Sequence, residues 1–153
     1  ELANDLGNLL QRVLTLIKKS FNGQVPVKGI LTPEDEKILQ DARNAKALIA
    51  KNLENLNVKG ICDITIEIAR DANRYINIQE PWKLAKTDKE RMATVLAVLY
   101  EVLRIIGIYF EPVIPDSSKK LLDQLGASKE FTTLESIDQE VPAGTPIGTP
   151  SVL

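Results

Sequence analysis

The stretch Glu80-Pro81-Trp82-Lys83-Leu84-Ala85-Lys86 holds the only tryptophan of the 153 residues, set directly behind a proline and between acidic and basic neighbours. Core tryptophans belong to the periodic apolar pattern of an element, and Trp82 lies outside it. Two readings follow: a corner ring that plugs the end of a helical bundle, or an aromatic platform on which a planar ligand stacks. Pro81 fixes its own φ and donates no N–H, which suits a helix start or an elbow. Arg70, Asn73, Arg74 and Asn77 form a polar cluster just ahead of it. Far upstream, Asn8 and Arg12 stand one helical turn apart, so both can reach one object. Asparagine and arginine can pair with base edges, and single-stranded bases are recognised by stacking on aromatics. A solvated helix face is the plain alternative for each such pair.

Absences narrow the chemistry further. The chain has no histidine, which removes the commonest general base, Ser-His-Asp triads and most metal sites. With one cysteine, Cys62, there is no internal disulfide and no zinc constellation; a reducing, cytoplasmic setting and an inert core thiol are expected. No catalytic residue, metal or cofactor is therefore expected within these residues. A net charge of −2 argues against coating nucleic acid through phosphate contacts alone, although a small basic patch at one end fits. No uninterrupted apolar run reaches membrane-spanning length and no leader is visible, so no membrane partner is expected. The chain opens at Glu1 on an apolar periodicity already under way, with Met92 its sole methionine, and reads as a piece of something larger.

The elements that must carry these residues are helical. Leu2, Leu6, Leu9, Leu10, Val13, Leu14, Leu16 and Ile17 share one side of a helix over 1–20, with Glu1, Asp5, Asn8, Arg12, Thr15 and Lys19 opposite. Gly23, Pro26 and Gly29 mark a loop. Thr32 and Pro33 then cap and open a second helix with a stripe of Ile38, Ala42, Ala45, Ile49, Leu53 and Leu56. A third helix is expected over 58–77 and ends at the Trp82 elbow. Thr87-Asp88-Lys89-Glu90 resembles a capping box ahead of a long fourth helix that Glu111-Pro112 stops. Asp116 is expected to cap a short fifth helix closed by Gly126. The expectation is an all-α, antiparallel bundle of about five helices over 1–126, followed by an irregular Pro/Gly-rich extension over 127–153. Within that extension Val141, Ile147, Val152 and Leu153 are spaced to dock on another surface.

Three pieces then form an ordered set. Asn4-Asp5-Leu6-Gly7-Asn8 with Arg12 lies in the first helix; Asn73-Arg74-Tyr75-Ile76 with Glu80 to Lys86 closes the third. Pro142-Ala143-Gly144-Thr145 with Ile147-Gly148 lies in the tail. In this order and spacing they resemble the C-terminal part of bacterial methionyl-tRNA synthetase, and Arg104-Ile105-Ile106 and Glu111-Pro112 agree. The resemblance covers essentially the whole chain.

It implies an α-helical anticodon-binding domain of a class I synthetase that recognises the CAU anticodon of methionine tRNA. It further implies that Trp82 stacks on the first anticodon base, that Asn8 and Arg12 contact anticodon bases, and that Pro81 shapes the pocket, with Asn4, Asn73 and Asn77 nearby. The partners implied are methionine tRNA and the enzyme's own catalytic domain, against which the extension would fold; DNA is not among them. Methionine and ATP sites would lie outside these residues, since the class I histidine motif is impossible here and Met92 sits between Arg91 and Ala93. Family members often carry acids shortly before the Pro-Trp pair, where this chain has Asn77-Ile78-Gln79 and only Glu80. Two alternatives stay open: the anticodon domain of another class I synthetase, and a helical protein-interaction module with Trp82 as its hot spot.

Overall fold

The computed structural model describes residues 2–150 and 153, with side chains from Asn4 onward. The expectations placed on Glu1, the Leu2 side chain and Val152 lie outside the described residues. The chain forms α1 (Leu2–Ser20), α2 (Pro33–Asn44), α3 (Lys46–Glu54), α4 (Val58–Gln79), α5 (Pro81–Thr87), α6 (Lys89–Phe110) and α7 (Pro115–Gln124). Two single 3-10 turns follow, at Lys129–Phe131 and Leu134–Ser136. All five expected runs are helical; the second is split in two, and the elbow is a short helix of its own.

Most of the apolar periodicity does what it should. Leu6, Leu9, Leu10, Val13, Leu14 and Ile17 of α1 are buried. Thr32 caps α2 reciprocally: its hydroxyl accepts from Asp35 N–H at 3.3 Å and the Asp35 carboxylate accepts from Thr32 N–H at 3.0 Å. Three local expectations are corrected. The break at Ala45 rotates α3 out of phase with α2, so the stripe leaves the core after Ile49: Leu53 is 44% exposed and Leu56 85%. Thr87 closes α5 by donating to the Lys83 carbonyl, and Asp88 alone caps α6 by accepting from Arg91 N–H at 3.1 Å. The expected box therefore does not form. Asp116 does not cap α7 either; Ile114 holds that position and Asp116 sits in the first turn, facing the helix dipole. By length and composition α6 could cross a membrane, but it is interrupted by Glu101 and Arg104 and is buried among the other helices as the core element.

Two charges interrupt α6, and they tie the extension down. Arg104 is fully buried; its guanidinium donates to Glu101 at 2.8 Å and to the carbonyls of Phe131 at 2.8 Å and Gln139 at 2.5 Å. The other Glu101 oxygen accepts from Val141 N–H at 3.1 Å. Burial pushes the Glu101 carboxyl up against the pull of Arg104. Further along, Glu140 pairs with Lys28 and with Arg43, and Val25 pairs by backbone with Gly144 and Thr145. Gly148 N–H donates to the Gln124 carbonyl at 2.9 Å. A Cβ at Gly148 would lie 2.3 Å from the Asp123 carbonyl oxygen, so only glycine permits this approach. The Pro/Gly stretch is thus packed on its own bundle, with Val141 in the core.

Candidate nucleic-acid interface

The elbow is built at Glu80. This residue adopts a left-handed conformation (φ 48°, ψ 58°), unusual for a side chain with a Cβ and costing roughly 1–2 kcal/mol. Its N–H donates to the Ile76 carbonyl at 3.0 Å and ends α4, while its carbonyl accepts from Lys83 N–H at 2.9 Å and starts α5. Pro81, buried at the first position of α5, supplies the φ that the new helix needs. The turn leaves Trp82 39% exposed, outside the buried core.

Against that ring lies Arg12 of α1, its guanidinium carbon 5.1 Å from the ring centroid, a cation–π distance. The same guanidinium donates to Asn77 Oδ1 at 3.1 Å. Three helices therefore meet at one point: α1 brings Arg12, the last turn of α4 brings Asn77, and α5 brings Trp82. Gln11, Thr15 and Leu16 join Arg12 and Trp82 around a shallow hollow of 310 Å³. Asn8 and Asn4 are exposed one and two turns before Arg12. Asn73 is partly buried one turn before Asn77, and its amide donates to the Ala69 carbonyl at 3.3 Å. It lines a cleft of 530 Å³ between α1 and α4 with Asp5, Cys62 and Arg70. Cys62 is partly buried there and packs against the edge of the core.

The elements thus bring together Arg12, Asn77, Pro81 and Trp82. Asn8 shares their face, Asn73 stands at its inner edge, and Asn4 lies at its far end. An arginine with five donors, only one of them used by Asn77, beside a half-open indole can grip a flat ring from its face and its edge at once. Lys83, Lys86 and Lys89 are exposed on and after α5, with Lys83 paired to Glu80 at 2.8 Å and Lys89 5.4 Å from the Phe21 ring. Among the described residues no group of three or more histidines, cysteines or acids could hold a metal ion.

Sequence reading missed what stands behind the elbow. Asp35, fully buried, accepts from Tyr75 Oη at 2.6 Å and from both arms of Arg91 at 2.5 and 2.9 Å. The second arm of Arg91 also donates to Gln79 Oε1 at 2.8 Å. Burial alone would raise the Asp35 carboxyl, but the bonds from Arg91, Tyr75 and Thr32 outweigh it and hold it below its ordinary value. Burial and the neighbouring carboxylate push the Tyr75 phenol up, so it stays a donor. In the sequence Asp35 looks like one more acid in a helix's first turn; the Thr32–Asp35 spacing is the only local hint that it does more.

The family model described as the anticodon binding domain of methionyl tRNA ligase matches residues 25–153. Among curated relatives, the methionine–tRNA ligase of Brucella melitensis is 45% identical over 127 residues, covering 83% of this chain and 25% of that protein. The enzyme of Rickettsia felis is 37% identical over 160 aligned positions, covering 100% of this chain and 31% of that protein. In structure, Mycobacterium tuberculosis methionyl-tRNA synthetase in complex with methionyl-adenylate matches with a TM-score of 0.90 at 30% identity, over 98% of this chain and 30% of that one. The chain spans between a quarter and a third of the length of these relatives.

Proposed function

The chain belongs to the family of methionyl-tRNA ligase anticodon-binding domains, and from that premise we propose that the Arg12–Asn77–Trp82 face recognises the CAU anticodon of methionine tRNA. Trp82 stacks on the first anticodon base. Asn8 and Arg12 hydrogen-bond to base edges, Pro81 fixes the platform, and Asn4, Asn73 and Asn77 border it. The domain does this as part of a methionine–tRNA ligase that uses ATP to join methionine to its tRNA, with the chemistry in a catalytic domain outside these residues. The extension contributes by facing that catalytic domain while staying tied to the bundle.

The observation that carries this reading is the convergence at Trp82. A half-exposed indole on a rigid elbow, with a guanidinium against its ring, is what stacking on a splayed loop base requires. The outlay on a left-handed Glu80 also favours a functional corner over a plug. Stacking contributes about 1–3 kcal/mol per base and a good bidentate contact about the same. Two or three such contacts amount to about 5 kcal/mol, so Kd falls near the millimolar range for the domain alone.

The test is calorimetric or NMR titration of the chain with an RNA stem-loop carrying CAU. Trp82→Ala and Arg12→Ala should each weaken binding by about tenfold or more, with far-UV circular dichroism unchanged. Binding that is indifferent to both substitutions would refute the assignment, and a chain that ignores RNA but self-associates would favour the protein-interaction alternative.

A further inference from the structure

Arg91 bridges the two ends of the elbow. Gln79 is the last residue of α4, directly ahead of Glu80-Pro81-Trp82, and Arg91 lies in the first turn of α6, directly after α5. The Arg91 Nη2–Gln79 Oε1 bond of 2.8 Å therefore spans the whole of α5 at its base. Arg91 is itself anchored through both arms on the fully buried Asp35 of α2, which also holds Tyr75 one turn before Gln79. Its own N–H donates to Asp88, the residue that caps α6 after α5. None of these groups touches the Trp82 ring in the way Arg12 does; they fix the frame that presents it.

We propose that Gln79 and Arg91 form a clamp that positions Trp82, so that the clamp, more than the α5 sequence itself, sets the pose of the stacking platform. This rests on the anticodon reading for its purpose, but the mechanical claim stands apart from it. A helix of seven residues is too short to hold itself in water. Leu84 and the buried Pro81 pack it against the core. Its ends set how it is turned on that packing, and of those the left-handed Glu80 permits a turn without enforcing one. The fork geometry of Arg91 matters, since it must hold Asp35 with two donors and still reach Gln79. Lysine carries its three donors on a single nitrogen and lacks the two-armed fork that spans Asp35 and Gln79.

Trp82 as the sole tryptophan gives a direct readout. In Gln79→Ala, which leaves the Arg91–Asp35 pair intact, the acrylamide quenching constant of Trp82 should rise and its steady-state anisotropy fall. The Kd for a CAU stem-loop should rise by about threefold to tenfold. Arg91→Lys should behave alike. Gln79→Glu restores an acceptor for Arg91 and should return quenching to the wild-type value. Wild-type quenching in Gln79→Ala would overturn the clamp; altered quenching with unchanged Kd would support the clamp and count against stacking by Trp82. If the wild-type chain binds no stem-loop at all, the anticodon reading fails, and quenching alone then decides whether the clamp orders Trp82.

Discussion

Asp35 and Trp82 show how far a residue's type speaks for its role. A tryptophan outside any apolar stripe, behind a proline, announces itself, and the structure has it half-exposed against Arg12. Asp35 gives no such sign, yet it is fully buried and accepts from Thr32, Tyr75 and Arg91. Removing one partner of a buried ion pair costs about 3–5 kcal/mol. Asp35→Ala should therefore lower Tm by roughly 10 °C. The sign of the pH dependence follows from its depressed pKa. The contribution is fully present above the ordinary aspartate value of about 3.9 and is lost as pH falls through the lower folded value. Glu140, held low by Lys28 and Arg43 against its own desolvation, works in the same direction. Thermal melts between neutral pH and pH 3 should show wild type losing its margin over Asp35→Ala. A margin that stays constant down to pH 3 would contradict the account of this network.

At the scale of elements, five helical runs were readable because apolar residues recur at helical spacing and because Thr32-Pro33 and the Glu80-Pro81 pair punctuate them. The interruption at Ala45 was not readable: no glycine or proline marks it, and only the mismatch between the α2 and α3 stripes gives it away, through the exposed Leu53 and Leu56. The attachment of the extension to its own bundle was not readable for a related reason. Val25 meets Thr145, and Arg104 meets Gln139, across separations that no local pattern encodes. Charges at Glu101 and Arg104 inside an otherwise apolar helix were the available clue. Arg104→Ala leaves Glu101 buried without its partner, at a cost of about 3–5 kcal/mol. Hydrogen exchange should then quicken most over 131–141, with α1 and α4 protected as before. Gly148→Ala should free the last residues alone, because its Cβ would strike the Asp123 carbonyl. Uniform loss of protection in either variant would mean that the extension and bundle fold as one unit.

At the scale of the molecule, a net charge of −2 coexists with an elbow where Arg12 lies against Trp82 and the exposed Lys83 and Lys86 share the same short helix. On the proposed function, such a surface attracts RNA locally without coating it. With about two phosphate contacts, log Ka should fall with log salt at a slope of about −1.4. The elbow residues that meet were legible one by one; that α1, α4 and α5 converge on one point was legible only through the family resemblance. The central claim is that Trp82 reads the first anticodon base, and its own fluorescence tests this most directly. The chain is titrated at low salt with a CAU stem-loop and with one altered only at the first anticodon base. A saturable change in Trp82 emission that is several-fold stronger in affinity for CAU is the predicted result. Equal affinity for the two loops, or emission unmoved while both bind, would contradict it.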